Sequence, residues 1–192
     1  MQKLGKTLKP ASAPLENPVI ASDRIPHNAC GERLSEEQIW QLLEEVKDPE
    51  VPVVSVVELG IIRSVSWEDK QLTVEVTPTY SGCPATDLIE ELIAEGLMQG
   101  GIRDPQIKRV LSPAWTTDWI TDAGREKLRE YGIAPPQGSS SKMSLLGHNE
   151  QIVCPRCSSA NTELVSEFGS TACKALYRCV DCLEPFDYFK CI

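Results

Sequence analysis

The sequence predicts an α+β fold, a small mixed sheet with three helices in the order αββαβα, followed by a C-terminal four-cysteine zinc ribbon. Three observations carry that prediction. Apolar residues recur at helical spacing in some stretches and alternate at strand spacing in others. Two C-x-x-C pairs stand close to the C-terminus. A stretch rich in Pro, Gly and Ser divides the two regions. The organisation that follows is a flexible leader over residues 1–33, an α+β domain over 34–134, a linker over 135–150 and the ribbon over 151–192. A chain of 192 residues, 41% hydrophobic and 24% charged, suits one ordinary domain plus a small one.

The leader contains Pro and Ala without a sustained period. The first helix starts at Ser35, because Ser35-x-x-Gln38 is a capping box and Leu34 can staple onto Ile39. Ile39, Leu42, Leu43 and Val46 continue it through Lys47, and Asp48-Pro49 stops it. Two strands follow, Ile61 to Trp67 and Leu72 to Thr77, split by the turn-prone Glu68-Asp69-Lys70. Leu72, Val74 and Val76 alternate with polar residues, the pattern of a half-buried hairpin strand. A second helix is expected to open at Cys83-Pro84, bury Leu88, Ile89, Leu92, Ile93 and Leu97, and end at Gly100-Gly101. Gln106 to Leu111 reads as the third strand, and Thr121 to Tyr131 as the third helix, closed by Gly132.

In the ribbon, Cys154-Pro155-Arg156-Cys157 and Cys179-Val180-Asp181-Cys182 are separated by 21 residues. Each pair places two thiolates on one tight turn, and the intervening loop brings the turns face to face around a tetrahedral ion. Redox pairs or inert cysteines are the alternative, and two pairs at this spacing favour metal. The segment is too short to bury an adequate core without a staple, so a structural zinc contributes directly to folding. Iron is the competing ion, since it too accepts four thiolates. Cys173 and Cys191 fit neither turn and are expected to be packing residues, with Cys173 the stronger candidate for a reserve ligand or second-site thiol.

The formal charge of −9 argues against a nucleic-acid partner. The ribbon, with four Lys/Arg against five Asp/Glu, has no basic excess either. Lys3, Lys6 and Lys9 precede no apolar signal region and no run is long enough to cross a bilayer, so a cytoplasmic protein without a membrane partner is expected. Cys30, Cys83, Cys173 and Cys191 then read as reduced thiols.

Within the first domain Cys83 is the most suggestive residue. It follows Ser81-Gly82 at the expected N-cap of the second helix, where free amides and the helix dipole favour a thiolate. A small capping cysteine without activity is the equal alternative. Asp48 and Glu50 flank Pro49, where a solvated turn is the simpler reading. Thr77, Thr79 and Thr86 flank the Cys83 loop and suit ligand contacts and ordinary strand or cap roles equally. Trp115 and Trp119 read as core or interface anchors rather than cofactor stackers. His27 and His148 lie in segments expected to be flexible and have no partner at metal or catalytic spacing.

Several of these pieces occur together in a known family. Asp48-Pro49-Glu50, Val57-Glu58-Leu59-Gly60-Ile61-Ile62, Thr77-Pro78-Thr79-Tyr80-Ser81-Gly82-Cys83-Pro84 and Ala114-Trp115-Thr116-Thr117-Asp118-Trp119 resemble the SufT-like iron-sulfur cluster assembly domain over residues 35 to 131. With the ribbon, including Phe168 to Cys179 and Phe186 to Ile192, the chain after residue 34 is more narrowly similar to the D subunits of bacterial phenylacetyl-CoA epoxidase. The resemblance implies a non-enzymatic factor that matures an iron-sulfur protein of phenylacetate degradation, with the pathway's [2Fe-2S] reductase as client and the epoxidase subunits as partners. It also implies a transient iron-sulfur cluster at Cys83, with Asp48, Glu50, Thr77 and Thr79 lining the pocket. A structural or regulatory component of the epoxidase complex is the rival. A thiol enzyme is the weakest reading, since no His or second Cys is paired with Cys83 by spacing. The oligomeric state is open, a homodimer included.

Overall fold

A computed structural model of the chain describes residues 33–80, 82–136 and 151–190. The leader with His27 and Cys30, the loop residue Ser81, most of the expected linker with His148, and Cys191 lie outside the described residues. All that is described falls in one unit, Gly31–Ile192.

Helix α1 (Glu36–Glu44) begins at the expected capping box: Ser35 Oγ accepts from the Gln38 amide at 3.3 Å, and Gln38 Oε1 accepts from the Ser35 amide at 2.9 Å. Ile39, Leu43 and Val46 are buried, and Leu42 is half-buried. The helix stops at Glu44, three residues before the expected Lys47. The residue before a proline avoids helical geometry, and the chain folds back early, with the Asp48 amide on the Val54 carbonyl and the Val56 amide on the Val46 carbonyl, both at 3.0 Å.

Strands β1 (Ile62–Glu68) and β2 (Gln71–Val76) form the expected antiparallel hairpin, turning through Asp69 at φ 53°. Leu72, Val74 and Val76 point to the core. Helix α2 (Thr86–Gln99) then carries the chain over to β3 (Gln106–Arg109), which pairs with β2 in parallel and gives the sheet order β1-β2-β3. The buried face of α2 is narrower than predicted: Ile89, Ile93 and Leu97 are buried, Leu92 is half-buried and Leu88 is exposed. Residues four apart suffice to cover the sheet, which leaves the adjoining position to solvent.

The start of α2 also departs from expectation. Its N-cap is Ala85, not Cys83. Residues before it are held in turns: the Cys83 amide donates to the Tyr80 carbonyl at 3.2 Å, and the Thr86 amide and Thr86 Oγ1 both donate to the Cys83 carbonyl, at 3.2 and 2.9 Å. Thr86 thus fixes the Cys83 backbone from below.

A 3₁₀ turn (Thr117–Trp119) leads into α3 (Asp122–Glu130), capped by Thr121 Oγ1 on the Gly124 amide at 3.0 Å and ended by Gly132 at φ +92°. Gly60 has φ +68°, and a Cβ there would lie 2.6 Å from the Trp119 carbonyl oxygen, so the Val57–Ile62 segment packs on Trp119 only as glycine.

Beyond α3 lies a strand without a sequence signal, β4 (Ile133–Ala134). It pairs in parallel with β7 (Pro185–Phe189), the edge of an antiparallel set that includes β6 (Lys174–Cys179) and β5 (Thr162–Ser166); the order is β4-β7-β6-β5. The ribbon sheet is therefore completed by residues that follow α3 directly. The ribbon also gives side chains to the larger core, where Phe189 and Cys173 are buried with the residues of α1, α2 and the first sheet. Trp115 joins the two regions, as an interface anchor should. Its ring lies 6.2 Å from that of Phe189, and its Nε1 donates to the Leu59 carbonyl at 3.0 Å. Trp119 packs under the Arg63 guanidinium, 3.4 Å from the ring centroid. The ribbon's own core is small, built from Ala134, Ile152, Cys154, Ala175, Cys179, Phe186 and Tyr188.

Candidate functional site

At the outer end of the ribbon the two cysteine turns meet. The Ser158 amide returns to the Cys154 carbonyl at 2.9 Å, and the Cys182 amide donates to Cys179 Sγ at 3.5 Å. Asp181 ties the turns together, accepting from Ser159 Oγ and, at 2.8 Å, from Asn161 Nδ2. The sulfurs of Cys154 and Cys182 are 3.8 Å apart, those of Cys157 and Cys179 are 3.5 Å apart, and all four lie within 4.8 Å of one another. A tetrahedron with metal–sulfur bonds of about 2.3 Å has edges of about 3.8 Å, so the quartet fits one ion. The Cys182 amide bond holds the Cys179 thiol down to about 7, while, against the Ser159 amide, the sulfurs of Cys182 and Cys179 push the Cys157 thiol up to about 12. The arrangement can hold one metal ion on four sulfurs, two of them buried and two exposed.

A second site lies where the first domain meets the ribbon. Asp48, Glu50, Thr79 and Cys83 all line one narrow cavity of about 20 Å³. The fold-back after α1 brings the two carboxylates there. Asp48 is buried, and its Oδ1 accepts from the amides of Glu50 and Val51, both at 2.8 Å, so it shapes the turn that presents Glu50. Burial pushes the Asp48 carboxyl above its ordinary value, against those two amide bonds and the nearby charge of Lys174. The solvated turn expected from the sequence is not what forms. Thr79 and Cys83, both half-buried, come from the loop between β2 and α2. Thr77 is buried, its hydroxyl has no hydrogen-bond partner among the described residues, and it lines an adjacent groove with Tyr80 and Trp115. Cys83 lies two residues before the Ala85 N-cap of α2, and the Thr86 amide donates to its backbone carbonyl.

Two lining residues are not singled out by the sequence, Glu90 from α2 and Phe189 from the ribbon; Cys173, expected to pack and the candidate second-site thiol, joins them. Glu90 accepts from Arg109 Nε at 2.6 Å and is thereby held at the rim. Cys173 is buried, with its Sγ 3.8 Å from Glu50 Oε2 and 3.0 Å from Thr171 Oγ1. Tyr80 stands beside the same groups: its phenol is pushed up by burial first, then by the charges of Cys83, Cys173 and Glu50, and it is hydrogen-bonded to Cys83. The one hint in the sequence is that Cys173 remains unassigned after the two C-x-x-C pairs.

Among the described residues no helix is long and apolar enough to cross a membrane. Comparison with known proteins matches residues 138–190 to the PaaD zinc beta ribbon domain and residues 36–99 to the family described as iron-sulfur cluster assembly protein. Over 155 residues the chain is 52% identical to a protein of Escherichia coli strain K12 named as the D subunit of 1,2-phenylacetyl-CoA epoxidase, covering 81% of this chain and 92% of that one. It is 34% identical over 101 residues to the Fe-S protein maturation auxiliary factor of Porphyromonas gingivalis, covering 52% of this chain and 92% of that protein. It is 33% identical over 89 residues to the Fe-S protein maturation auxiliary factor YitW of Bacillus subtilis, covering 45% of this chain and 86% of that protein.

Proposed function

The chain belongs to the PaaD-like family of phenylacetyl-CoA epoxidase D subunits, and on that premise we propose that it matures the [2Fe-2S] reductase of phenylacetyl-CoA epoxidase in the cytoplasm, without being a catalyst itself. The observation that carries this reading is the convergence of Cys83, Asp48, Glu50 and Thr79 on one cavity, inside a domain that matches iron-sulfur cluster assembly proteins. A cysteine sulfur is a soft donor suited to iron, and the carboxylates beside it are harder donors able to share or release the same ion. Cys83 is the thiolate that receives the cargo. Asp48 holds the turn through its two amide bonds, and Glu50 and Thr79 line the same cavity as the thiol.

The ribbon quartet, in this reading, holds zinc, which would supply folding energy and no redox chemistry. Its role is to complete the wall of the cavity and to present the surface on which a client docks.

The test is Cys83→Ser. Serine nearly preserves the volume, and the turn depends on the residue's backbone carbonyl rather than its sulfur. Expected are unchanged folding and ribbon metal, together with a reductase purified from the same cells that lacks iron and sulfide. If those cells grow on phenylacetate like the parent and their reductase holds its full cluster, the rival role as a structural component of the epoxidase complex takes its place.

A further inference from the structure

The ribbon carries an exposed apolar surface that neither its cysteine turns nor the Cys83 cavity accounts for. Phe168 is 66% exposed, and Leu164 and Val165 of β5, just before it, are 49% and 55% exposed. Strand β5 ends its sheet, and among the described residues no strand lies beyond it. The Val180 amide donates to the Asn161 carbonyl at 2.9 Å, so in an alternating ladder Glu163 also turns its backbone to β6, and Leu164 turns its amide and carbonyl outward. The register shift after Leu164 leaves Val165 outside the ladder. A further chain can therefore pair only along Thr162–Leu164, with Val165 and Phe168 left to meet its side chains.

The loop after β5 is tied down around Phe168. The Phe168 amide donates to Ser166 Oγ at 3.2 Å, and Lys190 Nζ donates to the Glu167 carbonyl at 2.9 Å while standing 4.7 Å from the Phe168 ring centroid. The Gly169 amide donates to the Lys174 carbonyl at 2.8 Å, and Ser170 Oγ to Asp187 Oδ2 at 2.9 Å. An aromatic ring held in water by so fixed a loop loses little freedom on binding, which is the property of an interface anchor.

We propose that Phe168 and the outer edge of β5 are the docking surface for the client, and that they receive an extended, uncharged, apolar segment of it, paired along Thr162–Leu164 and cupping the Phe168 ring. That the client is the reductase rests on the maturation role; the surface does not. Charge selects the kind of occupant. Glu163 is held by Arg178, and Lys190 and Glu167 at the border carry opposite signs, so a charged segment gains nothing there. Position selects the client. The loop that begins at Phe168 ends at Cys173, whose carbonyl accepts from the Lys190 amide at 3.0 Å, and Cys173 and Phe189 wall the Cys83 cavity. A second copy fits less well, because antiparallel pairing of Thr162–Leu164 with itself sets two Glu163 side chains opposite each other.

The probe is the reductase subunit stripped of its cluster, titrated against full-length protein with its ribbon metal in place. Phe168→Ser, at an exposed position, should keep the fold and the ribbon metal and weaken binding about thirtyfold, the loss expected of an anchor. Val165→Lys should weaken it about tenfold, as a charge on a strand edge opposes pairing. Leu183→Ser is the control and should bind like the parent. It removes a 69% exposed side chain from the outer end, where Ser158 already holds the matching position after the other cysteine pair, at φ 61° against 65°. Bound reductase should protect the Leu164 amide from hydrogen exchange, and the affinity should change little with salt. A parent that binds no reductase overturns the proposal, as does Phe168→Ser that binds like the parent, or Leu183→Ser that loses as much as Phe168→Ser. So does a dimer of this chain that Phe168→Ser dissolves, since the second copy is then the occupant. If Phe168→Ser loses binding while the reductase of those cells is fully loaded, the docking surface stands and the maturation role falls. If binding ignores Phe168 and Cys83→Ser still starves the reductase, maturation stands and the surface is struck out.

Discussion

Sulfur is held in two contrasting ways at the two ends of the ribbon. At the outer end four cysteines come in two local pairs, each set by its own turn, with all four sulfurs within 4.8 Å. At the inner end Cys173 faces a cavity whose polar lining groups come from the α1 fold-back, the β2–α2 loop and α2 itself. The first arrangement is what a structural ion needs: a closed, locally encoded set that adds folding energy to a core of few side chains. The second depends on the packing of one module on another, so it forms only when both are folded. The two arrangements share one small sheet, so the folding of the outer end bears on the geometry of the inner one.

That coupling can be broken from the outer end. Cys154→Ser or Cys179→Ser should release the ribbon ion, whose binding in modules of this kind is worth about 10–16 kcal/mol. Metal analysis and hydrogen exchange should show ion loss and collapse of amide protection over residues 151–190. The helices of the first domain should persist with a lower melting temperature, because Phe189 and Cys173 leave the larger core. One tightly held ion per chain in either variant would contradict the ligand assignment.

Phe189→Ala attacks the joint itself and should cost about 3–5 kcal/mol in denaturant unfolding while the ribbon ion stays bound. A cost under about 1 kcal/mol, within the range of ordinary substitutions, would mean that the two modules merely touch. Gly60→Ala tests the opposite wall, since Leu59 and Ile61 line the cavity on either side of it. Its φ of +68° and the contact with Trp119 predict a loss of about 1–3 kcal/mol, with ribbon metal unchanged.

The smallest effect is electrostatic. The folded Asp48 carboxyl is raised by burial, so the parent loses stability as pH climbs from the ordinary value of 3.8 through the raised one, then levels off. Asp48→Asn, whose amide oxygen can still accept from Glu50 and Val51, should abolish that slope and melt slightly higher near neutral pH. An unchanged slope would place the titration elsewhere.

Much of the molecule is legible in the amino-acid sequence. The capping box at Ser35, the alternation of Leu72, Val74 and Val76, and the glycine stops after α2 and α3 are local rules, satisfied within a few residues of chain. The ribbon quartet is legible for the same reason, since a C-x-x-C pair carries its own geometry. Where an expectation rests on one element meeting another, it slips. Cys83 has the spacing of an N-cap, but the Thr86 amide and hydroxyl both donate hydrogen bonds to its carbonyl and the helix starts later. Leu88 falls on the apolar stripe, but the sheet covers only the Ile89 face. Asp48 sits in a sequence that suits a solvated turn, but the chain buries it under Val51 and Val54.

Short-range hydrogen bonding and cysteine spacing act within a turn or a strand, and for that reason the helices and strands of the first domain, their order and the two cysteine turns of the ribbon are written in the chain itself. Other features exist only through tertiary packing: β4 extends the ribbon sheet, Phe189 finishes the larger core, and Cys173 faces Glu50 across 123 residues of sequence. Those contacts are chosen by complementary packing between surfaces distant in the chain, and no spacing rule records which surfaces will meet.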